Sequence, residues 1–242
     1  GASAEFTREG QDGSWKMKDE TKKKWPIEFG GLKLWIKPTA FKHTGLFPEQ
    51  SVNWDWTRGI LTKALAANPK AELEVLTLFA YTGGATLACA QAGAKVVHVD
   101  GSKSAVTWAR ENAELSGLAD KPIRWILEDA RLFVERELKR GRKYHGIIMD
   151  PPAFGHGANK ELWKIEEDLV ALIDNCLGLL ADEPLFFLLN GYSAGYSAIA
   201  YRNILAPLVK KCGGRIQIGE LAIEESGTDR LLPCGICARW SR

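Results

Sequence analysis

"YHGIIMDPPAFGHG", residues 144–157, decides how the rest of the chain is read. An apolar run, Ile147, Ile148 and Met149, stops at Asp150 and two prolines, Pro151 and Pro152. A strand cannot continue once its backbone donors are gone. Asp150 is therefore predicted at the carboxyl end of a buried strand, where open α/β sheets place their ligands. Just beyond the prolines, Phe154 offers an aromatic face in a loop. A stiffly held carboxylate beside an aromatic ring suits a planar, amine-bearing group such as a nucleobase.

Outward from this stretch, strand and helix alternate. Upstream, "LEVLTLFA" (residues 73–80) is a continuous apolar run of the buried parallel kind, and "ATLACAQAG" reads as a helix of small residues. "AKVVHVD" is a second strand ending at Asp100, and Ser102 is placed to cap the helix of "KSAVTWARENAELSG", which Gly117 stops. "IRWILED" gives a third strand, followed by a helix from about residue 130. Downstream, an apolar stripe through Ile165, Leu169, Leu172, Ile173, Cys176 and Leu180 predicts a long amphipathic helix over about 160–181. "PLFFLLN" is a fifth strand and residues 196–210 a fifth helix. The last two strand-like runs, "GRIQIGELAIEE" and "RLLPCGICARW", have no helix between them and read as an antiparallel pair at one edge. The fold class is α/β, a doubly wound, Rossmann-like, seven-stranded sheet with a reversed last strand.

Before residue 72 the pattern differs. "PIEFGGLKLWIKPTAF" alternates around Gly30-Gly31 and predicts a small N-terminal β-hairpin. "HTGLFPEQSVNWDW" reads as a loop carrying Phe47, Glu49, Gln50, Trp54 and Trp56, followed by a helix over about 53–67. The chain thus divides into a flexible arm (1–25), a hairpin, loop and helix (26–71), and the main domain (72–242).

Composition bounds the function. A hydrophobic content of 45% and a charged content of 26% are those of a globular protein, and no apolar run approaches the ~18 residues of a membrane span. The opening lacks a signal-peptide apolar core, so the expectation is a soluble, cytoplasmic protein. A net charge of +2 does not by itself argue for nucleic acid. Basic clusters occur at Lys22–Lys24 and around Arg136, Lys139, Arg140, Arg142 and Lys143, and read as solvated faces. Five cysteines make no disulfide framework, and the pair Cys234 and Cys237 lacks the further ligands that a structural zinc needs. No metal is expected.

Four strand ends carry candidate ligand residues. After the first, "FAYTGG" puts Phe79, Ala80, Tyr81, Thr82 and Gly83 at a helix start, where backbone amides can approach a ligand; the spacing is not that of the dinucleotide fingerprint. Asp100, Gly101 and Ser102 end the second strand, about 20 residues past the glycines, where a carboxylate can accept from ribose hydroxyls. Asp129 and Ala130 end the third, and Asp150 the fourth. In this order they point to an adenosine-containing cofactor.

At these residues the sequence resembles the class I S-adenosylmethionine-dependent methyltransferases. "GLFPEQ", "FAYTGG", "HVDGSKSAVTWARENAELSG" and "DPPAFG" are similar, more narrowly, to the bacterial group acting on large-subunit ribosomal RNA. The resemblance implies S-adenosylmethionine as cofactor, with Tyr81, Thr82 and Gly83 at its methionine part, Asp100 at the ribose, and Asp129 with Ala130 at the adenine. It implies Asp150, bordering both the methionine amine of the cofactor and the target base, with Pro151, Pro152 and Phe154 at the reaction centre, and RNA, ribosomal RNA above all, as substrate. Phe47 and Gln50 are further candidates for substrate binding. The loops "DPPAFG" and "NGYSAG" lack the cysteine that a cytosine C5 reaction requires, so a base nitrogen is the expected acceptor. A protein or small-molecule methyltransferase, or a binding protein with this fold, is the alternative.

Overall fold

The protein, in a computed structural model, is described at residues 4–9, 12–19, 23–39, 43–193 and 195–242. The expected arm carries a hairpin, β1 (Ala4–Glu9) with β2 (Asp12–Met17). Its register sets Phe6 opposite Trp15, with ring centroids 5.1 Å apart, and the Trp15 indole donates to the Thr39 carbonyl at 2.8 Å. A cross-strand aromatic pair thereby supports the register of the two strands. A second hairpin follows, β3 (Trp25–Phe29) and β4 (Leu32–Ile36), turning at Gly30-Gly31, both with positive φ. Lys22 and residues 40–42, at the end of the sequence-predicted hairpin segment, lie outside the described residues.

Helix begins earlier than the predicted residue 53, within the segment read as a loop. Pro48 opens a 3-10 turn (Pro48–Gln50) that runs directly into α1 (Ser51–Ala67). Trp54 is buried edge-on against Phe29, and Trp56 meets Phe186. Both indoles pin α1 to the body, and Trp54 also lines a small chamber.

The alternation follows as β5 (Glu74–Leu78), α2 (Gly84–Gln91), β6 (Lys95–Asp100), α3 (Lys103–Leu115), β7 (Ile123–Leu127), α4 (Ala130–Lys139) and β8 (Gly146–Met149). Then come a short hairpin, β9 (Phe154–His156) and β10 (Leu162–Lys164), α5 (Ile165–Gly178), β11 (Phe186–Gly191), α6 (Ala198–Cys212), β12 (Arg215–Glu224) and β13 (Leu231–Ser241). The β9–β10 hairpin corrects two expectations. Phe154 stands on a strand rather than in a loop, and α5 begins at Ile165 because the Asp168 carboxylate accepts from Lys164 N at 2.9 Å and caps the helix there.

The main sheet runs β12-β13-β11-β8-β5-β6-β7. Pairs from β11 through β7 are parallel, and β13 is antiparallel to both β11 and β12. β8 and β11 are buried along their whole length, which is why they read as unbroken apolar runs. One face packs Phe133 of α4, Leu169 of α5 and Tyr201 of α6 against Leu76, Ile147 and Phe187; the other packs Leu61 of α1 and Cys89 of α2 against Val75, Ile148 and Phe186. Chain order reverses at β5, which lies between β6 and β8, so the carboxyl ends of β5 and β8 flank the topological switch point. Among the described residues, no helix is long and apolar enough to cross a membrane.

Among the described residues, four members of the two basic clusters form ion pairs. Arg136 meets Glu128, Arg140 meets Glu137 at 2.9 Å, Arg142 meets Glu74, and Lys24 meets Glu111 at 3.6 Å.

Gly191 ends β11 where α6 comes closest: a Cβ there would stand 1.9 Å from the Tyr201 hydroxyl. Gly191→Ala is expected to destabilise by ~1–3 kcal/mol in urea denaturation, the cost of overpacking. Adding Tyr201→Phe removes the hydroxyl but leaves ring carbons at 2.6 and 2.7 Å from that Cβ, so it should recover only part of the loss, and no recovery at all would locate the cost elsewhere.

Candidate functional site

The loop after β5 is held in an unusual backbone conformation. Phe79 (φ 54°) and Tyr81 (φ 47°) are non-glycine residues at positive φ, and Gly83 (φ 88°) caps α2. Such strain persists only where the surroundings impose it. Here Asp100 does so: its Oδ2 accepts from Tyr81 N at 2.8 Å while its Oδ1 accepts from Ser102 N at 2.8 Å. One carboxylate thus straps the β5 loop to the end of β6. Burial pushes the Asp100 carboxyl upward, against these two amides.

Asp129 plays a similar double part at the end of β7. It caps α4, with Oδ1 accepting from Arg131 N at 2.9 Å and Leu132 N at 3.3 Å. The Arg131 guanidinium also grips it, Nε to Oδ1 at 3.2 Å, and bridges to Asp168 at 2.9 Å. The adjacent Ala130 N–H belongs to the first turn of α4, where helix donors have no intrahelical partner.

Asp150 is different. Its Oδ1 is buried with no hydrogen-bond partner, and Oδ2 is approached by Gln50 Nε2 at 3.5 Å. Burial, with the Glu49 carboxylate nearby, pushes the Asp150 carboxyl up to about 7. Gln50 also donates to the Tyr192 hydroxyl at 2.7 Å. The Pro152 carbonyl accepts from the Trp163 indole at 2.7 Å, so the turn after Asp150 is buttressed by the β9–β10 hairpin.

These strand ends surround a cleft of about 560 Å³. Of the sequence-predicted residues, Phe47, Phe79, Tyr81, Asp100, Gly101, Ser102, Asp129, Ala130, Asp150, Pro151 and Pro152 line it. A smaller chamber of about 60 Å³ shares Phe47, Phe79, Tyr81 and Asp150 with the cleft and adds Gln50, Ala80 and Thr82. Gly83 lines neither; its positive φ lets the chain turn into α2. Phe154 also lines neither, standing 58% exposed beside the cleft with its ring edge-on to His156.

Sequence reasoning missed Trp163, Tyr192, His43 and Glu128, which also line the cleft. Trp163 stacks obliquely on Phe79 at 4.9 Å, and Phe47 lies 5.6 Å from Tyr192 and 5.7 Å from Tyr81. A tryptophan inside an otherwise polar linker was the available signal for Trp163; for Tyr192 it was its place just past the fifth strand. The hairpin tip passes directly over the ends of β6 and β7. A Cβ at Gly101 would stand 3.1 Å from Gly157 Cα, and one at Gly157 would stand 2.9 Å from Asp129 Cβ.

The Asp150 carboxyl rises from 3.8 to about 7 on folding, so the folded state holds a proton that the unfolded chain releases between those values. The stability this group lends is fully present below pH 4 and lost as the pH rises through about 7. Asp150→Asn should therefore be more stable than the parent at pH 8, with the gap closing near pH 4. Urea midpoints across that range would check the sign.

An elongated, two-chambered site walled by acidic strand ends suits a nucleoside-containing cofactor, and comparison with known proteins agrees. The family model described as S-adenosylmethionine-dependent methyltransferase matches residues 7–176. A ribosomal RNA large subunit methyltransferase K/L of Shewanella frigidimarina is 31% identical over 179 residues, 72% of this chain and 24% of that protein. A ribosomal RNA large subunit methyltransferase K of Neisseria meningitidis is 28% identical, over 68% of this chain and 44% of its own length. The chain thus spans less than half of the curated relatives it matches. The crystal structure of an S-adenosylmethionine-dependent methyltransferase from Agrobacterium tumefaciens superposes with a TM-score of 0.93 at 39% identity, covering 99% of this chain and 77% of that one. With its fold, its ordered strand-end residues and the family match in agreement, the chain belongs to the S-adenosylmethionine-dependent methyltransferases.

Proposed function

We propose that the protein methylates a base nitrogen of RNA, with ribosomal RNA the favoured substrate. The observation that carries this reading is the unpartnered Asp150 Oδ1, buried where the small chamber meets the open cleft. An acceptor in that position calls for an N–H donor on a ligand. The names of the Shewanella and Neisseria relatives support RNA as the class of substrate.

In this reading, Asp129 and the Ala130 N–H hold the adenine and Asp100 the ribose. The loop of Phe79, Ala80, Tyr81, Thr82 and Gly83, with Gln50, holds the methionine end in the small chamber. When bound, S-adenosylmethionine supplies an electrophilic methyl group on a sulfonium. The chain's own residues supply position and a dry setting. Asp150 accepts from the amine of the target, and the Pro151 carbonyl offers a second acceptor beside it. Because the Pro152 carbonyl is already engaged by Trp163, the prolyl turn presents a fixed geometry. Phe154, exposed on β9, stacks on a base drawn out of its stack. No cysteine occurs in the turns at 150–155 and 190–195, so the covalent route to a cytosine carbon lacks its nucleophile there.

Incubation with tritiated S-adenosylmethionine and fractionated cellular RNA and protein, followed by nucleoside mass spectrometry, tests the proposal. Label in a methylated base nitrogen is expected; label confined to protein would overturn the RNA reading. Asp150→Ala should lower turnover at least about a hundredfold while the protein stays folded, and a fully active variant would remove Asp150 from the reaction centre. Phe154→Ala should raise the KM for RNA about tenfold, the scale of one lost stacking contact. Binding of S-adenosylhomocysteine, followed by calorimetry, should be unchanged in that variant; equal loss of both would argue against stacking.

A further inference from the structure

A line of side-chain hydrogen bonds reaches Asp150 from the reversed strand. Arg239 Nε, on β13, donates to Asn53 Oδ1 at 2.7 Å. Asn53 Nδ2, on α1, donates to Gln50 Oε1 and Asn190 Oδ1, each at 2.8 Å. Gln50 Nε2 donates to the Tyr192 hydroxyl and reaches Asp150 Oδ2. Asn53, Gln50 and Asn190 are all buried, so bulk water does not stand in for a missing partner.

The direction of this line is imposed from one end. A guanidinium has donors only, so Asn53 must turn its oxygen to Arg239. Its nitrogen then faces Gln50 and Asn190, which must both answer with oxygen. What remains for Tyr192 and Asp150 is the nitrogen of Gln50. Without the guanidinium both amides are free to turn over, and Gln50 would then set a carbonyl oxygen against a carboxylate.

We propose that Arg239 is a positioning residue for the Asp150 site, fixing the direction of this amide chain so that Gln50 offers N–H to Asp150 and leaves Oδ1 free for a donor on the ligand. The groups facing Asp150 are Glu49 and Gln50 of the 3-10 turn, Tyr192 beyond β11, and Tyr201 of α6. None of these is a cation. Gln50 is the one side chain, among the described residues, with a hydrogen bond to the carboxylate. Arg239 also lies over the Trp56 ring, 5.6 Å from its centroid, so its removal must keep the packing.

The proposal rests on Asp150 being the acceptor at the reaction centre, and its test can be read without RNA. Side-chain NMR follows the Gln50 amide and the titration of the Asp150 carboxyl in Arg239→Met, Arg239→Lys and Asn53→Asp. Arg239→Met keeps the stem over Trp56 and removes the donor. It should displace the Gln50 amide signal and raise the Asp150 midpoint by about one pH unit. Turnover at pH 7 should fall about tenfold while S-adenosylhomocysteine affinity holds within about twofold. Arg239→Lys retains a donor and should restore both signals toward the parent. Asn53→Asp accepts from Arg239 but cannot donate to Gln50, so it should copy Arg239→Met and serves if that variant does not fold. An unchanged Gln50 signal and Asp150 midpoint in either folded variant overturns the proposal. Absence of RNA methylation by the parent, with the NMR response intact, would instead sink the RNA reading and leave the chain standing.

Discussion

A carboxylate oxygen inside a protein with nothing to accept from is costly, and the arrangement around Asp150 is organised by that cost. β8 is buried on both faces and stops at two prolines, so Asp150 cannot retreat into solvent along its own strand. Glu49 raises the cost further by its like charge, and Gln50 Nε2 approaches Oδ2 only at 3.5 Å. What is left unsatisfied is Oδ1, on a residue that lines both the cleft and the smaller chamber. A group poorly solvated in the free protein interacts strongly with a donor that arrives with a ligand, and this links an expense in stability to binding.

The other acidic strand ends are built the opposite way. Asp100 and Asp129 are supplied with backbone donors, and in each the carboxylate does structural work first. Asp100 holds a strained loop against β6 and Asp129 starts a helix. Both roles place an oxygen at the cleft wall without leaving it unpaired. An N-cap and a ligand contact are therefore compatible readings of one residue: the cap fixes the rotamer and the remaining lone pairs face outward.

The β9–β10 hairpin joins the two ends of the cleft. Through Trp163 it braces the prolyl turn beside Asp150, and through Gly157 it lies on the ends of β6 and β7. Glycine at 101 and 157 is what permits that approach, since a side chain at either would meet backbone or Asp129. Phe154 is carried on the same hairpin and faces solvent.

Much of this was legible in the residues alone. Parallel strands buried on both faces must be continuous apolar runs, so β5, β8 and β11 announced themselves, and the breaks after β6, β7 and β8 put Asp100, Asp129 and Asp150 at strand ends in chain order. Three-residue strands carry no periodicity, which hid β9 and β10, and a proline-initiated turn disguised the start of α1 as a loop. Asp129 is satisfied locally, by the amides of Arg131 and Leu132, and Asp100 in part by Ser102, but the second donor to Asp100, Tyr81 N, comes from another strand end, and no local feature marked Asp150 as the carboxylate without such amides. The link from Arg239 to Asn53 joins residues 186 positions apart. The sequence determined the sheet, the order of its acidic strand ends and the family, because hydrophobic periodicity and strand-breaking residues are local. Only the tertiary structure decided which carboxylate is left wanting a donor and which way the amides beside it point, because hydrogen-bond direction depends on partners the chain meets only when folded.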